Sequence, residues 1–536
     1  IYSLTTPFRY FVITHLSQEV SCLSIAIVVM AKGDRVGFYF LFLIVIHVIH
    51  LPLSSSFITT TSIIMKRSRS SSWNYIDGDT KTNKKSSPPS LKSTIIPSSD
   101  SNRNSSNKSN NKSNEMQHSH QFNIRTITAF VKIQSSDFIT TTSSNAEGVH
   151  DEKNSNIKNI IEAKIESCAH LVQTLKRQLE SKNYVIQTVR LATNPFAEFL
   201  MDNESSSSNS KKYVQDRLNE LDSLLEKHDF QFCSLGPSND PEHTFHVCPM
   251  IVQSSPRLSC SANVRSGDIE AAKAAAVCIQ TISQLGGSEN DNESTNLEHV
   301  KGGLGNFRFC SISSCDDFIP FFPGAKCESI KENTKNNITL DTNSIGFAIG
   351  LENGELALDL LSQCQSISKI KTMFGEGMLQ ALQPIQEICE IFEKSNQNTT
   401  YLYKYLGIDN SLNPSLSQNG SVAQAMERLS EVRKPFGGQG TLAAAAEITS
   451  ALQSLPLLLT GYCGLMLPVC EDQRLSELGM NHELKISQLL CISSVCGVGV
   501  DTVPIAGDVD VHDLQGLILD VAALAGRWDK SLSCRV

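Results

Sequence analysis

Two acidic residues follow directly on an apolar run in the last seventh of the chain. Glu471 and Asp472 end the string GLMLPVCED, which begins at Gly464 and is apolar enough to form a buried strand. Side chains just after a buried parallel strand lie at its carboxyl end, where ligands bind in α/β folds. There they could bind a divalent cation through oxygen ligands or act as acid and base. The alternative is a helix N-cap beside a solvated acid.

A second group of candidates lies in the string CGVGVD, between Cys496 and Asp501. Cys496 would serve as a nucleophile if its thiolate were stabilised. No histidine is near it in the sequence to act as a base, so the alternative is a buried cysteine at a helix end. Asp501 and Asp508 are candidate ligands, and turn-forming side chains are the alternative interpretation of both.

Two further features are typical of anion binding. Gly437, Gly438 and Gly440 precede an alanine-rich helix, and free backbone N–H groups at a helix start can hold a phosphate or carboxylate. The loop has neither the lysine of a P-loop nor the spacing of a dinucleotide-binding motif, so a plain loop with a helix cap is the alternative. Arg190 ends an alternating run and could pair with an anionic substrate or form a surface ion pair.

The composition is that of a globular protein. Of 536 residues, 40% are hydrophobic and 19% are charged, with a net charge of -9 and no basic stripe in the second half. This argues against nucleic-acid binding and leaves homo-oligomerisation open. The 16 cysteines are scattered without a Cys-x-x-Cys pair, so we expect reduced, buried thiols in a cytoplasmic protein. His243, His246 and Cys248 have ligand-like spacing but lack a fourth ligand nearby, so we predict no metal site there.

The first 120 residues differ from the rest. Residues 37–53 are strongly apolar but a little short for a spanning helix. We expect residues 1–64 to be non-native sequence upstream of a start at Met65; a signal anchor that attaches the protein to a membrane is the alternative. Residues 65–120 are rich in Ser, Asn and Lys without apolar periodicity, which predicts a disordered tail.

Strand and helix patterns alternate from Phe122 onward. Residues 122–133 have β-type alternation, the apolar positions from Ile157 to Leu179 recur at helical spacing, and residues 184–192 alternate again. The same succession continues to the last residues of the chain, with a predicted strand over 457–469, helices over 482–496 and 511–524, and a final strand over 531–536. It predicts one α/β domain over 121–536 with a mostly parallel sheet, and it fits a closed barrel as well as an open doubly wound sheet.

Six strings in the second part of the chain are specific when they are taken together. They are FNIRTIT from Phe122, QTVR from Gln187 with NPF from Asn194, SIGFAIGLENG from Ser344, GQGTLAAAAEI from Gly438, GLMLPVCED from Gly464 and SSVCGVGVDTVPIAGDV from Ser493. In this order, across 122–536, they resemble a family known as domain of unknown function 711, or uncharacterised protein family 0210, and the last three strings are the most specific.

The resemblance implies a large β/α barrel like that of pyruvate formate-lyase and anaerobic ribonucleotide reductase. It does not imply their chemistry, which requires a glycine in an Arg-Val-x-Gly-Tyr context. The sequence ends at Cys534-Arg535-Val536 without that glycine, so we expect no glycyl radical. Family members continue beyond this point, and we expect the C-terminus to be truncated. The family supplies no catalytic residues to carry over.

The leading hypothesis is a cytoplasmic enzyme that acts on a small anionic metabolite. Glu471, Asp472 and Asp501 would lie at one barrel mouth beside the Gly437–Gly440 loop. The alternative is a non-catalytic sensor of a small, amino-acid-like ligand on an enzyme-derived barrel, because fold does not fix function. Convergence of the acids on one polar pocket with an acid or nucleophile partner would favour the enzyme. A divalent cation is the one cofactor that the acids suggest.

Overall fold

The computed structural model describes residues 10–14, 22–32, 39–49, 121–138, 160–201, 209–286, 297–327 and 339–536. The chain divides into two compact units, residues 1–100 and 101–536. The tail predicted at 65–120 lies outside the described residues.

The first unit contains three strands, β1 (Tyr10–Thr14), β2 (Cys22–Lys32) and β3 (Tyr39–Ile49). They pair antiparallel in that order. The apolar run at 37–53 therefore contains a strand, consistent with its many β-branched and aromatic residues. None of the helices in the described residues combines the length and the hydropathy that a transmembrane helix requires.

The second unit is built on a nine-stranded sheet. The strands are β4 (Asn123–Val131), β5 (Ile186–Thr193), β6 (Phe232–Ser238), β7 (Leu258–Asn263), β8 (Phe309–Ser313), β9 (Ser344–Glu352), β10 (Leu402–Asp409), β11 (Gly499–Val500) and β12 (Leu532–Cys534). Their order in the sheet is β10-β9-β4-β5-β6-β7-β8-β12-β11. Six of the eight pairings are parallel, as the sequence predicts. Strands β4 to β8 run in one direction, and β9, β10, β11 and β12 run in the other.

Helices connect most of these strands, as expected for parallel neighbours. They are α1 (Ile160–Glu180), α2 (Ala197–Leu200), α3 (Asn209–Lys227), α4 (Pro241–Ser254), α5 (Ile269–Ser283), α6 (Gly354–Cys364), α7 (Gly375–Ser395), α8 (Val422–Met426), α9 (Thr441–Gln453), α10 (Gln473–Met480), α11 (Ile486–Ser493) and α12 (Val511–Trp528). The helix predicted over 482–496 is shorter in the structure. It is α11, and residues 481–485 form the connection between α10 and α11.

The two faces of the sheet bury different clusters. Ile127 and Ala129 of β4 belong to the large apolar cluster that includes the helices. Phe130 points to the other face, since side chains alternate along a strand, and it belongs to a smaller cluster. On that face lies the loop 314–327 after β8, whose Phe318 and Ile319 enter two separate small clusters.

The segment 457–469 is irregular although the sequence predicts a strand there. Pro456 and Pro468 lack the N–H that a ladder needs, and Gly461 takes a positive φ of 77°. The segment still makes isolated parallel bridges in two directions. Ile408 pairs with Leu459 beside β10, and Pro468 pairs with Asp501 beyond β11. It therefore contacts both edges of the sheet.

Candidate functional site

A cavity of about 270 Å³ lies at one end of the sheet. Its wall combines charged side chains with aromatic and other apolar ones. The charged residues are Arg125, Arg190, Arg308, Glu471, Asp501 and Arg535, and the aromatic residues are Phe232, Phe307, Phe321, Phe322 and Tyr462.

Opposed strands meet at this cavity. Phe232 and Ser259 lie in the first two positions of β6 and β7, so the amino ends of these strands form part of the wall. Asp501 directly follows β11, and Arg535 directly follows β12. Glu471 follows the segment 457–469. Asp501 therefore lies at the carboxyl end of a strand, where α/β folds bind ligands, and Glu471 follows a segment that pairs with Asp501 through Pro468.

One guanidinium joins two of the predicted acids. Arg535 donates from Nε to Asp501 Oδ1 at 2.7 Å and from Nη2 to Glu471 Oε1 at 3.1 Å. Burial alone would lower the pKa of Arg535, but the two carboxylates raise it above its usual range. Sequence reasoning singled out Glu471 and Asp501 and missed Arg535. The signal for it was an arginine within a final strand-like run, which is an unusual position for a charge.

A second ion pair lies beside the first. Arg125, on β4, donates from Nη1 to Glu352 Oε2 at 3.2 Å and to Gln187 Oε1 at 2.9 Å. Its Nη2 lies 3.9 Å from Glu471 Oε2. Glu352 is the last residue of β9, so it is another acid at the carboxyl end of a strand. Neither Arg125 nor Glu352 was predicted, although an arginine within the alternating run FNIRTIT was a visible signal.

Arg190 lines the cavity without an acidic partner. It is 8% exposed, and its Nε donates to Thr188 Oγ1 at 2.9 Å. Its Cζ lies 5.4 Å from the ring centroid of Phe232 and 5.2 Å from that of Phe322. Within the described part of the chain, no carboxylate forms an ion pair with it. Burial, with the nearby charges of Arg125 and Arg535, lowers the pKa of Arg190 to about 9.

Asp472 turns away from the cavity although it neighbours Glu471 in sequence. It is fully buried and caps α10 by accepting from the Leu475 N–H at 3.0 Å. It also accepts from Ser421 Oγ at 2.6 Å and from the Val422 N–H at 2.9 Å, at the start of α8. Burial raises its pKa despite these hydrogen bonds. The helix-cap interpretation therefore describes this residue, because its oxygens are occupied by the ends of two helices.

Cys496 and Asp508 also lie outside the cavity wall. The Cys496 thiol is buried and donates to Leu465 O at 3.4 Å. Burial raises the pKa of this thiol, which disfavours the thiolate that a nucleophile requires. Asp508 is exposed in a turn. These positions match the structural alternatives for both residues.

The glycine loop does not join the acids. None of Gly437, Gly438 and Gly440 contributes to the cavity wall. Gly440 has a φ of 88° and precedes α9, and a side chain there would collide with Glu431 O at 2.1 Å. The Gly437 carbonyl accepts from Gln488 Nε2 at 3.1 Å, on α11. The glycines are therefore explained by the tight backbone turn that begins α9.

A metal site is not preformed in the residues that the structure describes. Among them, no group of three or more His, Cys, Asp and Glu side chains is placed to hold a metal ion. Two of the acids that suggested a divalent cation in the sequence, Glu471 and Asp501, are instead bridged by Arg535.

The fold and cavity define an α/β protein with an arginine-rich pocket at the ends of opposed strands. The chain belongs to the family described as "Uncharacterised ACR (DUF711)", whose model matches residues 115–536.

Curated relatives carry the name "UPF0210 protein". Those of Lactobacillus helveticus and Bifidobacterium adolescentis are each 31% identical over 133 residues, or 24% of this chain and 29% of the relative. That of Lacticaseibacillus paracasei is 28% identical over 170 residues, or 28% of this chain and 37% of the relative. The matched region thus spans about a third of each relative.

Proposed function

We propose that the protein binds a small organic anion in the cavity and that Arg190 pairs with its carboxylate. The observation that carries the proposal is the buried guanidinium of Arg190 without a carboxylate partner among the described residues. An uncompensated buried charge is unfavourable by several kcal/mol. A ligand anion would supply the missing charge.

The geometry around Arg190 favours a carboxylate in particular. Its Nε is used by Thr188, so both Nη groups are left to donate. Two parallel N–H groups on a planar guanidinium match the two oxygens of a carboxylate. The rings of Phe232 and Phe322 pack near the guanidinium and restrict the orientation of its plane.

The volume of the cavity limits the size of the ligand. A water molecule occupies about 30 Å³ of liquid, and the cavity measures about 270 Å³. A ligand of about nine non-hydrogen atoms therefore fits within this volume. This size corresponds to a simple metabolite.

Calorimetric titration tests the proposal. Acetate, L-lactate, pyruvate, succinate and inorganic phosphate are titrated into the dialysed full chain. We expect a carboxylate to bind and Arg190→Gln to weaken that binding at least tenfold, because a charged hydrogen bond is worth about 1.5–3 kcal/mol. The matched control is Arg257→Gln, since Arg257 forms an ion pair with Asp222 at 3.1 Å outside the cavity. Equal affinity of the wild type and Arg190→Gln would reject the proposal.

Between a sensor and an enzyme, the contacts favour the sensor. Glu471 and Asp501 already accept hydrogen bonds from Arg535, and the Cys496 thiol is buried away from the cavity. Acid–base work by either acid would require its ion pair to open. Proton NMR of the bound carboxylate over hours distinguishes the two functions. An unchanged ligand supports the sensor, and conversion that stops in Glu471→Gln supports the enzyme.

We also propose that the nine-stranded sheet closes into a barrel through the segment 457–469. Three backbone hydrogen bonds support closure: Leu412 N–H to Gly464 O at 2.8 Å, Met466 N–H to Leu412 O at 2.9 Å and Val469 N–H to Asp501 O at 3.2 Å. These bonds connect the segment with the ends of both edge strands. Closed barrels leave no free sheet edge.

The loop 314–327 supports the same proposal. Thr128 of β4 donates to Pro320 O at 2.9 Å, Ser234 of β6 donates to Ala325 O at 2.8 Å, and Thr460 donates to Phe318 O at 3.2 Å. A loop held by distant strands in this way fits the interior of a barrel. Hydrogen exchange tests closure. The Leu412 and Met466 amides should be as protected as those of β5, which is paired on both sides, and rapid exchange at both would indicate an open sheet.

A further inference from the structure

We infer that the ligand is a zwitterion, with an ammonium group facing Glu471 opposite the carboxylate that faces Arg190. This inference rests on the proposed binding of a small carboxylate. It follows from how the charges around the cavity pair with one another. A small α-amino acid with an apolar side chain is the chemical class that fits.

Two of the arginines are matched by acids of their own. Arg125 lies 3.2 Å from Glu352, and Arg535 lies 2.7 Å from Asp501. When these two ion pairs are set aside, one acidic residue, Glu471, is left. Two arginines of the wall are also left, and one of them is Arg190.

The remaining guanidinium of the wall is satisfied by backbone carbonyl groups. Arg308 donates from Nη1 to Val252 O at 2.8 Å and to Leu258 O at 3.0 Å. It donates further to Ser255 O and, from Nη2, to His299 O at 3.3 Å. These carbonyl groups accept from both Nη groups and fix the direction of the side chain, so Arg308 stabilises the wall and leaves the recognition of a ligand anion to Arg190.

Glu471 retains an oxygen that can accept from a ligand. Its Oε1 accepts from Arg535 at 3.1 Å. Its Oε2 lies 3.9 Å from Arg125 Nη2, which is beyond hydrogen-bond distance. The Glu471 side chain is 32% exposed, so a ligand can approach it. An ammonium group carries three donors and would hydrogen-bond to this oxygen.

Arg190 and Glu471 are close enough to interact electrostatically without forming an ion pair with each other. Glu471 acts to raise the pKa of Arg190, against the lowering by burial. A ligand with opposite charges at its two ends would bridge this gap. The apolar part of the wall, formed by Phe321, Met466 and Val498, would then contact the ligand's side chain.

Matched compounds test the inference directly. L-leucine and L-alanine are compared by calorimetry with 2-hydroxyisocaproate and L-lactate, which replace only the ammonium by a hydroxyl, and with isopentylamine and ethylamine, which lack the carboxylate. We expect the better amino acid to bind at least tenfold more tightly than both of its analogues. Equal or tighter binding of the hydroxy acids to the wild type would overturn the inference.

Variants of Glu471 test whether this residue causes the preference for the amino acid over the hydroxy acid. In Glu471→Gln the amino acid should lose its tenfold advantage over the hydroxy acid, while Glu471→Asp, which keeps the charge, should retain part of it. Asp520→Asn, on the exposed side of α12, is the matched control and should leave the preference unchanged. An advantage that survives intact in Glu471→Gln would overturn the inference.

The outcome separates this inference from the proposed function. If hydroxy acids bind as tightly as amino acids and this binding is lost in Arg190→Gln, the zwitterion inference would be rejected. The proposed binding of a carboxylate by Arg190 would still stand. If Arg190→Gln binds every compound as tightly as the wild type does, both the zwitterion inference and the proposed carboxylate binding would be rejected.

Discussion

Replacing Arg190 by methionine should stabilise the ligand-free protein while it abolishes carboxylate binding. Methionine has a similar length and fills the space of the buried stem without a charge. A functional residue that carries an uncompensated charge is expected to reduce stability, and its removal is expected to restore it. The expected rise in the free energy of unfolding is therefore opposite in sign to the fall that most buried substitutions cause.

The structure gives the size of the effect. Each tenfold change in acid dissociation corresponds to about 1.4 kcal/mol, so the lowering of the Arg190 pKa to about 9 corresponds to about 5 kcal/mol against the charged form. Against this, the variant loses the hydrogen bond to Thr188, worth about 1 kcal/mol, and the ring contacts with Phe232 and Phe322, worth about 0.5–1 kcal/mol each. A net gain of about 2–3 kcal/mol remains, or about 2–4 °C in Tm for a unit of this size.

Scanning calorimetry and urea unfolding of the ligand-free full chain provide the assay, with native mass spectrometry to establish that nothing is bound. Arg125→Met is the control, because it leaves Glu352 without the partner that lies 3.2 Å away. We expect that variant to be destabilised. A lower Tm of Arg190→Met than of the ligand-free wild type would refute the reasoning, since it would mean that the protein itself neutralises the charge of Arg190.

Two other predictions concern residues that lie outside the cavity wall. Asp472→Ala should lower the free energy of unfolding by about 2–4 kcal/mol, because it removes the cap of α10 and of the start of α8. The control is Asp508→Ala, in an exposed turn, which should change the free energy of unfolding by less than about 0.5 kcal/mol. Comparable urea midpoints for the two variants would contradict the capping role of Asp472. Maleimide applied to the native protein should modify Cys470 and Cys491, which are exposed, and should reach Cys496 only after unfolding. Peptide mass spectrometry reads the labelled sites, and early labelling of Cys496 would show that its thiol is accessible after all.

Sequence alone indicated the α/β class and the mostly parallel pairing. Both depend on local periodicity, which is read over a few neighbouring residues. The run from Ile157 to Leu179 predicts α1 because its apolar residues fall on one face of a helix. The same local reasoning failed for 457–469, where an apolar composition suggested a strand but proline and a positive φ at Gly461 break the ladder.

Sequence also named Glu471, as an acid after an apolar run, and Asp501, as a candidate ligand in a glycine-containing string. It could not separate Glu471 from Asp472, since adjacent side chains leave the backbone in different directions and only the surrounding fold decides which one meets a helix start. The ion pairs of Arg535 join residues 34 and 64 positions apart. Tertiary structure alone decided these contacts and the burial of Arg190, because each depends on how distant strands are brought side by side.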